Sequence, residues 1–160
     1  MREIQSKLTA RIFLIGFIFL TTLSHAGGTH NDPTSCSKAT LKLPAKQCFN
    51  LDAENLQALQ QDHKRVVIVV QSFKPLRLPA GLVVWLVVDN QRHELTRFAI
   101  HPLRAFTMQE PERQSRFLVS LVEQASLIKA GKPLCLEVGF DGSQGSGEAE
   151  IMIELINTPK

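Results

Sequence analysis

Residues 66–73 (VVIVVQSF) and 82–88 (LVVWLVV) constrain this chain more than any other feature. Both are β-branched and aliphatic runs, apolar at consecutive positions and not at helical spacing. Strands of that kind belong in the middle of a sheet, with both faces covered. Between them, Pro75, Pro79 and Gly81 exclude a helix and force a turn. A mainly β protein follows, with these two strands at its centre.

The other segments extend that pattern. Residues 134–140 put Leu134, Leu136, Val138 and Phe140 on one strand face, and residues 148–156 do the same with Ala149, Ile151, Ile153 and Leu155. The intervening DGSQGSG reads as a flexible loop, so the two are expected to form a hairpin with one dry side. Asp89-Asn90-Gln91 predicts a tight connection into a strand over residues 92–100. Residues 39–43 alternate weakly, like an edge strand stopped by Pro44, and residues 116–119 form another strand.

Leu56 and Leu59 predict a short helix within residues 50–61, capped by Asn50 or Asp52. Ser120 and Glu123 have capping-box spacing and predict a second helix through Leu121, Val122, Ala125 and Ile128, stopped by Gly131 and Pro133. Trp85 is expected in the core, and Phe98, Phe106 and Phe117 over one end. No internal repeat is visible. The expected fold is a two-layer antiparallel β-sandwich of about seven strands with two short helices.

The beginning of the chain has the three parts of a cleavable secretory signal peptide. Arg2, Lys7 and Arg11 make a positive start, residues 12–20 (IFLIGFIFL) an apolar core, and Ser24-His25-Ala26 a small-residue cleavage site. That core is shorter than the ~20 apolar residues a membrane span needs. The expected organisation is a signal peptide over residues 1–26, a flexible arm over 27–38 and one domain over 39–157. The expected location is the periplasm or the medium.

Losing Arg2, Lys7, Arg11 and Glu3 with the leader reduces 18 basic and 15 acidic residues to 15 and 14. That near-neutral balance, with no run of basic residues, argues against a nucleic-acid or anionic-membrane partner. Three cysteines in an oxidising compartment imply one disulfide and one remaining thiol. Cys36–Cys48 is the preferred pair and Cys48–Cys135 the alternative; no C-x-x-C spacing supports a metal site.

Motifs for chemistry are missing from the sequence. It has no G-x-S-x-G, no H-E-x-x-H and no phosphate-binding glycine loop, so no catalytic residue is assigned. Glu148, Glu150 and Glu154 share a strand face; they read as a solvated face, with a hard-cation site as the alternative. His93 and His101 have the same strand parity but lie too far apart to chelate together, and read as surface or loop histidines. One metal site is conceivable at His30. Cleavage after Gly27 would leave Gly28-Thr29-His30, whose amine, backbone nitrogens and imidazole suit square-planar Cu(II).

From about residue 98 to 156, the chain runs RFAIHPLRAF, an irregular polar stretch, RFLVSLVEQASLI, then LCLEVGF and EAEIMIELI. This order resembles the C-terminal β-domain that follows the copper core of tyrosinase and polyphenol oxidase proteins. The resemblance implies a non-catalytic domain that packs over and shields a dicopper site. The paired helical histidines of the copper core have no counterpart here, so no oxidase activity is implied. The expectation is an exported, non-enzymatic accessory protein acting through contact with another envelope or secreted protein. The alternatives are a copper-handling or shielding accessory, and a hydrolase with a dispersed site.

Overall fold

The computed structural model describes residues 36–101 and 103–158; the expected signal peptide, most of the expected arm, and His30 lie outside them. Eight strands form two antiparallel sheets of four, packed as a sandwich. The strands are β1 (Cys36–Thr40), β2 (Ala45–Phe49), β3 (Lys64–Arg77), β4 (Gly81–Val88), β5 (Gln91–Ala99), β6 (Ser115–Val119), β7 (Leu134–Phe140) and β8 (Ser146–Asn157). The first sheet has the order β1-β8-β3-β6 and the second β2-β7-β4-β5. The two apolar runs therefore occupy interior positions, one in each sheet.

Period-two alternation builds the core between the sheets. Val66, Ile68, Val70 and Phe73 of β3 and Ala149, Ile151 and Ile153 of β8 face Leu82, Val84 and Leu86 of β4 and Leu134, Leu136, Val138 and Phe140 of β7. Each buried Val, Leu or Ile contributes roughly 1.5–3 kcal/mol relative to exposure. The buried core residues run from Ala39 of β1 to Ile153 of β8. Gln71 is the extra residue where the register of β3 on β8 shifts between Val70 and Ser72. That bulge returns Phe73 to the inside, opposite Ala149.

Four expectations need correcting. First, residues 134–140 and 146–157 do not form a hairpin: β7 pairs with β2 and β4, β8 with β1 and β3. Both strands are already flanked on each side within their own sheets, and residues 141–145 carry the chain across. Second, β1 starts at Cys36 and pairs with β8 from Met152 to Glu148, so residues 36–38 belong to the domain and not to the arm. Third, β2 was not expected as a strand, because Lys46 and Gln47 break its apolar pattern. Fourth, the second helix is a 3-10 segment at Val122–Leu127. Its cap residue is Leu121, which makes no side-chain capping bond, while the Ser120 hydroxyl lies 2.9 Å from Asp62 Oδ1.

The first helix, α1 (Ala53–Gln60), starts where Asp52 Oδ1 accepts a 2.7 Å bond from the Asn55 amide, and its Leu56 and Leu59 enter the core. Asp89 and Asn90 both have positive φ, as the tight β4–β5 turn requires.

Topology sorts the connections by end. Residues 41–44, 78–80, 100–114 and 141–145 all cross between sheets at one end of the sandwich. The opposite end carries α1, the turn at residues 89–90 and the segment 120–133.

Candidate functional site

The cysteines resolve first. Cys48 and Cys135 stand directly opposite each other on β2 and β7, with Cα atoms 4.0 Å apart, and form the disulfide. The preferred Cys36–Cys48 pair does not form. Cys36 points outward from the first sheet and Cys48 outward from the second, so the whole sandwich lies between them. The Cys36 thiol is free and exposed, 2.6 Å from Gln71 Oε1. Its partial burial, and then the Glu150 carboxylate, push its pKa up, which makes it a poor nucleophile.

The three carboxylates of β8 each have a neighbour. Glu148 pairs with Lys38 at 2.8 Å, which holds its pKa below the ordinary range. Glu150 takes the Ser72 hydroxyl at 3.2 Å, and Glu154 pairs with Arg116 at 3.4 Å. His93 is half-buried on β5 opposite Leu86, whereas His101 is exposed just beyond that strand. Among the described residues no three of His, Cys, Asp or Glu gather in a metal-binding arrangement.

Trp85 departs from expectation. It lies on the outer face of the second sheet, because Leu82, Val84 and Leu86 take the inward positions of β4. The Arg92 guanidinium sits 5.2 Å from its ring centroid and also bonds Glu137 at 2.6 Å. Lys46 adds a longer 3.5 Å contact to the same carboxylate. Arg92 thereby shields the ring and pairs a nearly buried acid at once. Phe106 is in the core as expected, tilted against Phe73 at 6.2 Å. Phe98 and Phe117 are half-buried and stack at 4.3 Å, joining the edge strands β5 and β6 where the two sheets meet at the side.

Below that stack the sheet edges part to leave a groove of about 480 Å³, floored by Leu95 and Val119 and rimmed by Leu118 and Val122. Leu118 is 59% exposed and Val122 42%. Among the described residues neither β5 nor β6 has a strand partner on its outer side. Asp62 and Glu123 bring carboxylates to the same groove. Asp62 is held ionised, its pKa lowered first by the Arg65 bond and then by Ser120.

The second candidate region is the loop end. Most of the exposed large apolar side chains of the described residues stand there: Leu41, Leu43, Leu76, Leu78, Leu103 and Met108. Lys42, Arg77 and Arg104 stand among them, exposed and without an ion pair among the described residues. Asp141, the carboxylate of the 141–145 turn, is buried; its pKa is lowered first by the Ser143 hydroxyl and further by Arg97 at 2.5 Å. Counting Arg77 at the end of β3, this end holds Lys42, Arg77, Arg104 and Arg113 against Glu110, Glu112 and Asp141; Arg113 pairs with Glu110 and lies near Glu112, and Arg97 reaches Asp141, which leaves Lys42, Arg77 and Arg104 unpaired among the described residues. No signal local in sequence marks the groove, which topology assembles, whereas residues 41–45 (LKLPA) and 76–80 (LRLPA) at the loop end repeat a pattern that the sequence reading passed over.

Comparison with protein-family models, with curated proteins and with solved structures found no match, so the functional reading rests on the residues and their arrangement.

Proposed function

We propose that this chain is an exported, non-enzymatic binding domain that acts through contact with another protein of the envelope or the extracellular space. The observation that carries the reading is the groove between β5 and β6, where Leu118 and Val122 are held open to solvent beside two unpaired strand edges. Exposed apolar side chains next to free backbone donors and acceptors suit an extended segment of a partner. Main-chain bonds to an edge would supply affinity, and the groove would select the side chain. The Cys48–Cys135 disulfide supports an oxidising location.

A photo-reactive residue placed at Val122 in the exporting cell is expected to give one dominant adduct, lost when Leu118→Asp is added. The absence of an adduct, or adducts indifferent to Leu118→Asp, contradicts the reading.

A further inference from the structure

The loop end carries the same five-residue pattern twice. Residues 41–45 read LKLPA and residues 76–80 read LRLPA. The first leads from the first sheet into β2 and the second from β3 into β4, so topology brings both copies to one end. In each copy the alanine is buried, Ala45 and Ala80 being 1% and 0% exposed, while the leucines project. Leu41, Leu43, Leu76 and Leu78 are 53%, 64%, 70% and 45% exposed.

The 141–145 turn runs beside both copies. Leu41 Cδ1 lies 3.5 Å from where a Cβ on Gly142 would stand, and a Cβ on Gly145 would run into the carbonyl oxygens of Arg77 and Pro79. Gly145 is therefore needed where the turn presses against the second copy. Buried anchors and close backbone packing mean that little ordering is left for binding to impose.

We propose that this end of the sandwich seats on an anionic lipid surface, its leucines entering the headgroup–acyl boundary and Lys42, Arg77 and Arg104 meeting lipid phosphates. In each copy a cation stands between two projecting leucines, so apolar and cationic groups alternate along the loop. That spacing matches a boundary where hydrocarbon and phosphate are separated by a few ångströms. Long cationic side chains reach the phosphates while their stems stay with the apolar residues. Charge is complementary as well: among the described residues Lys42, Arg77 and Arg104 have no ion pair, Glu110 and Glu112 of the same end lie against Arg113, and the buried Asp141 is engaged by Ser143 and Arg97. The lipid surface uses a different part of the molecule from the β5–β6 groove, so a partner protein can be held while the domain rests on the membrane.

The test uses a chain beginning at Gly27, which removes the apolar residues 12–20 as a competing anchor and retains every described core residue. Cooperative melting is checked first for each form. Cosedimentation is then measured with phosphatidylcholine vesicles and with vesicles containing about 30% phosphatidylglycerol, where each cation near the surface is worth roughly fivefold in partition. Binding is expected on the anionic vesicles, and weakening as salt is raised. Lys42→Gln with Arg77→Gln should lose on the order of twentyfold. Leu43→Ser with Leu76→Ser should lose more than about tenfold. Lys129→Gln with Lys132→Gln, at the opposite end, should bind as the parent does.

Equal partition onto both vesicles, no binding to anionic vesicles at low salt, or unchanged binding by the leucine variant would overturn the proposal. Self-association of the parent chain that disappears in the leucine variant would assign this end to a second copy, and would overturn it equally.

Discussion

The two ends of the sandwich are finished in opposite ways. At one, α1 lays Leu56 and Leu59 over the core, Leu121 and Ile128 add to the cover, and the surface is tied by short polar contacts. Asp62 there bonds Arg65 and Ser120, Lys132 reaches Asp89 at 3.2 Å, and the Thr158 hydroxyl bonds the Asp62 carbonyl at 2.8 Å. At the other, four sheet-to-sheet crossings leave leucines in solvent, with Lys42, Arg77 and Arg104 outside any ion pair among the described residues. The difference lies in how much apolar surface each end leaves in water: Leu118 and Val122 of the β5–β6 groove toward the helix end, against six large side chains at the loop end.

Substitutions can break that contrast, beginning with the largest effect. Replacing Cys48 and Cys135 together by alanine should cost about 4–5 kcal/mol, because their bond spans 87 residues of sequence and restricts the unfolded chain. Leu59→Ala at the closed end removes a fully buried side chain and should cost about 2–5 kcal/mol in denaturant unfolding. Asp52→Ala removes the α1 cap and should cost about 1 kcal/mol. By contrast, Leu43→Ser with Leu76→Ser should change stability by no more than about 0.5 kcal/mol per site, since both side chains are already in water. A large loss from the leucine pair, or a negligible one from Leu59→Ala, would erase the distinction.

Acid unfolding sharpens the comparison further. Asp62 and Asp89 at the closed end are both held below their ordinary value of 3.8, Asp62 by Arg65 first and Asp89 by Lys132 first. A carboxylate with a depressed folded pKa adds stability that is complete above its unfolded pKa and is lost as pH falls through the folded one. Asp62→Asn should therefore destabilise the protein near neutrality and flatten the fall in melting temperature below about pH 4. An acid limb identical to that of the parent would contradict the role given to this pair.

Much of the strand content was legible in sequence, because it depends on local pattern. The β-branched runs became β3 and β4, the alternating segments β7 and β8, and Asp89-Asn90 the turn between β4 and β5. Pairing was not legible. A glycine-rich loop serves a hairpin or a crossing between sheets equally well, so the partners of β7 and β8 could not be read from residues 141–147. The disulfide depended on which outer face each cysteine reached, and proximity in sequence favoured the wrong pair. Trp85 was placed by the apolarity of its run, whereas strand parity turned it outward beside Arg92. The groove has no motif, since Leu118 and Val122 need β5 beside them; the repeated LKLPA and LRLPA segments were legible, but only the crossings that bring positions 35 apart to one end give the repeat a meaning.

Hydrogen–deuterium exchange on the chain from Gly27, free and with phosphatidylglycerol-containing vesicles, tests the division between the ends most directly. Slowed exchange confined to residues 41–44, 76–80 and 103–108, with α1 and residues 120–133 unchanged, is the predicted result. Protection that is uniform, or that falls on the helix end, would contradict the account.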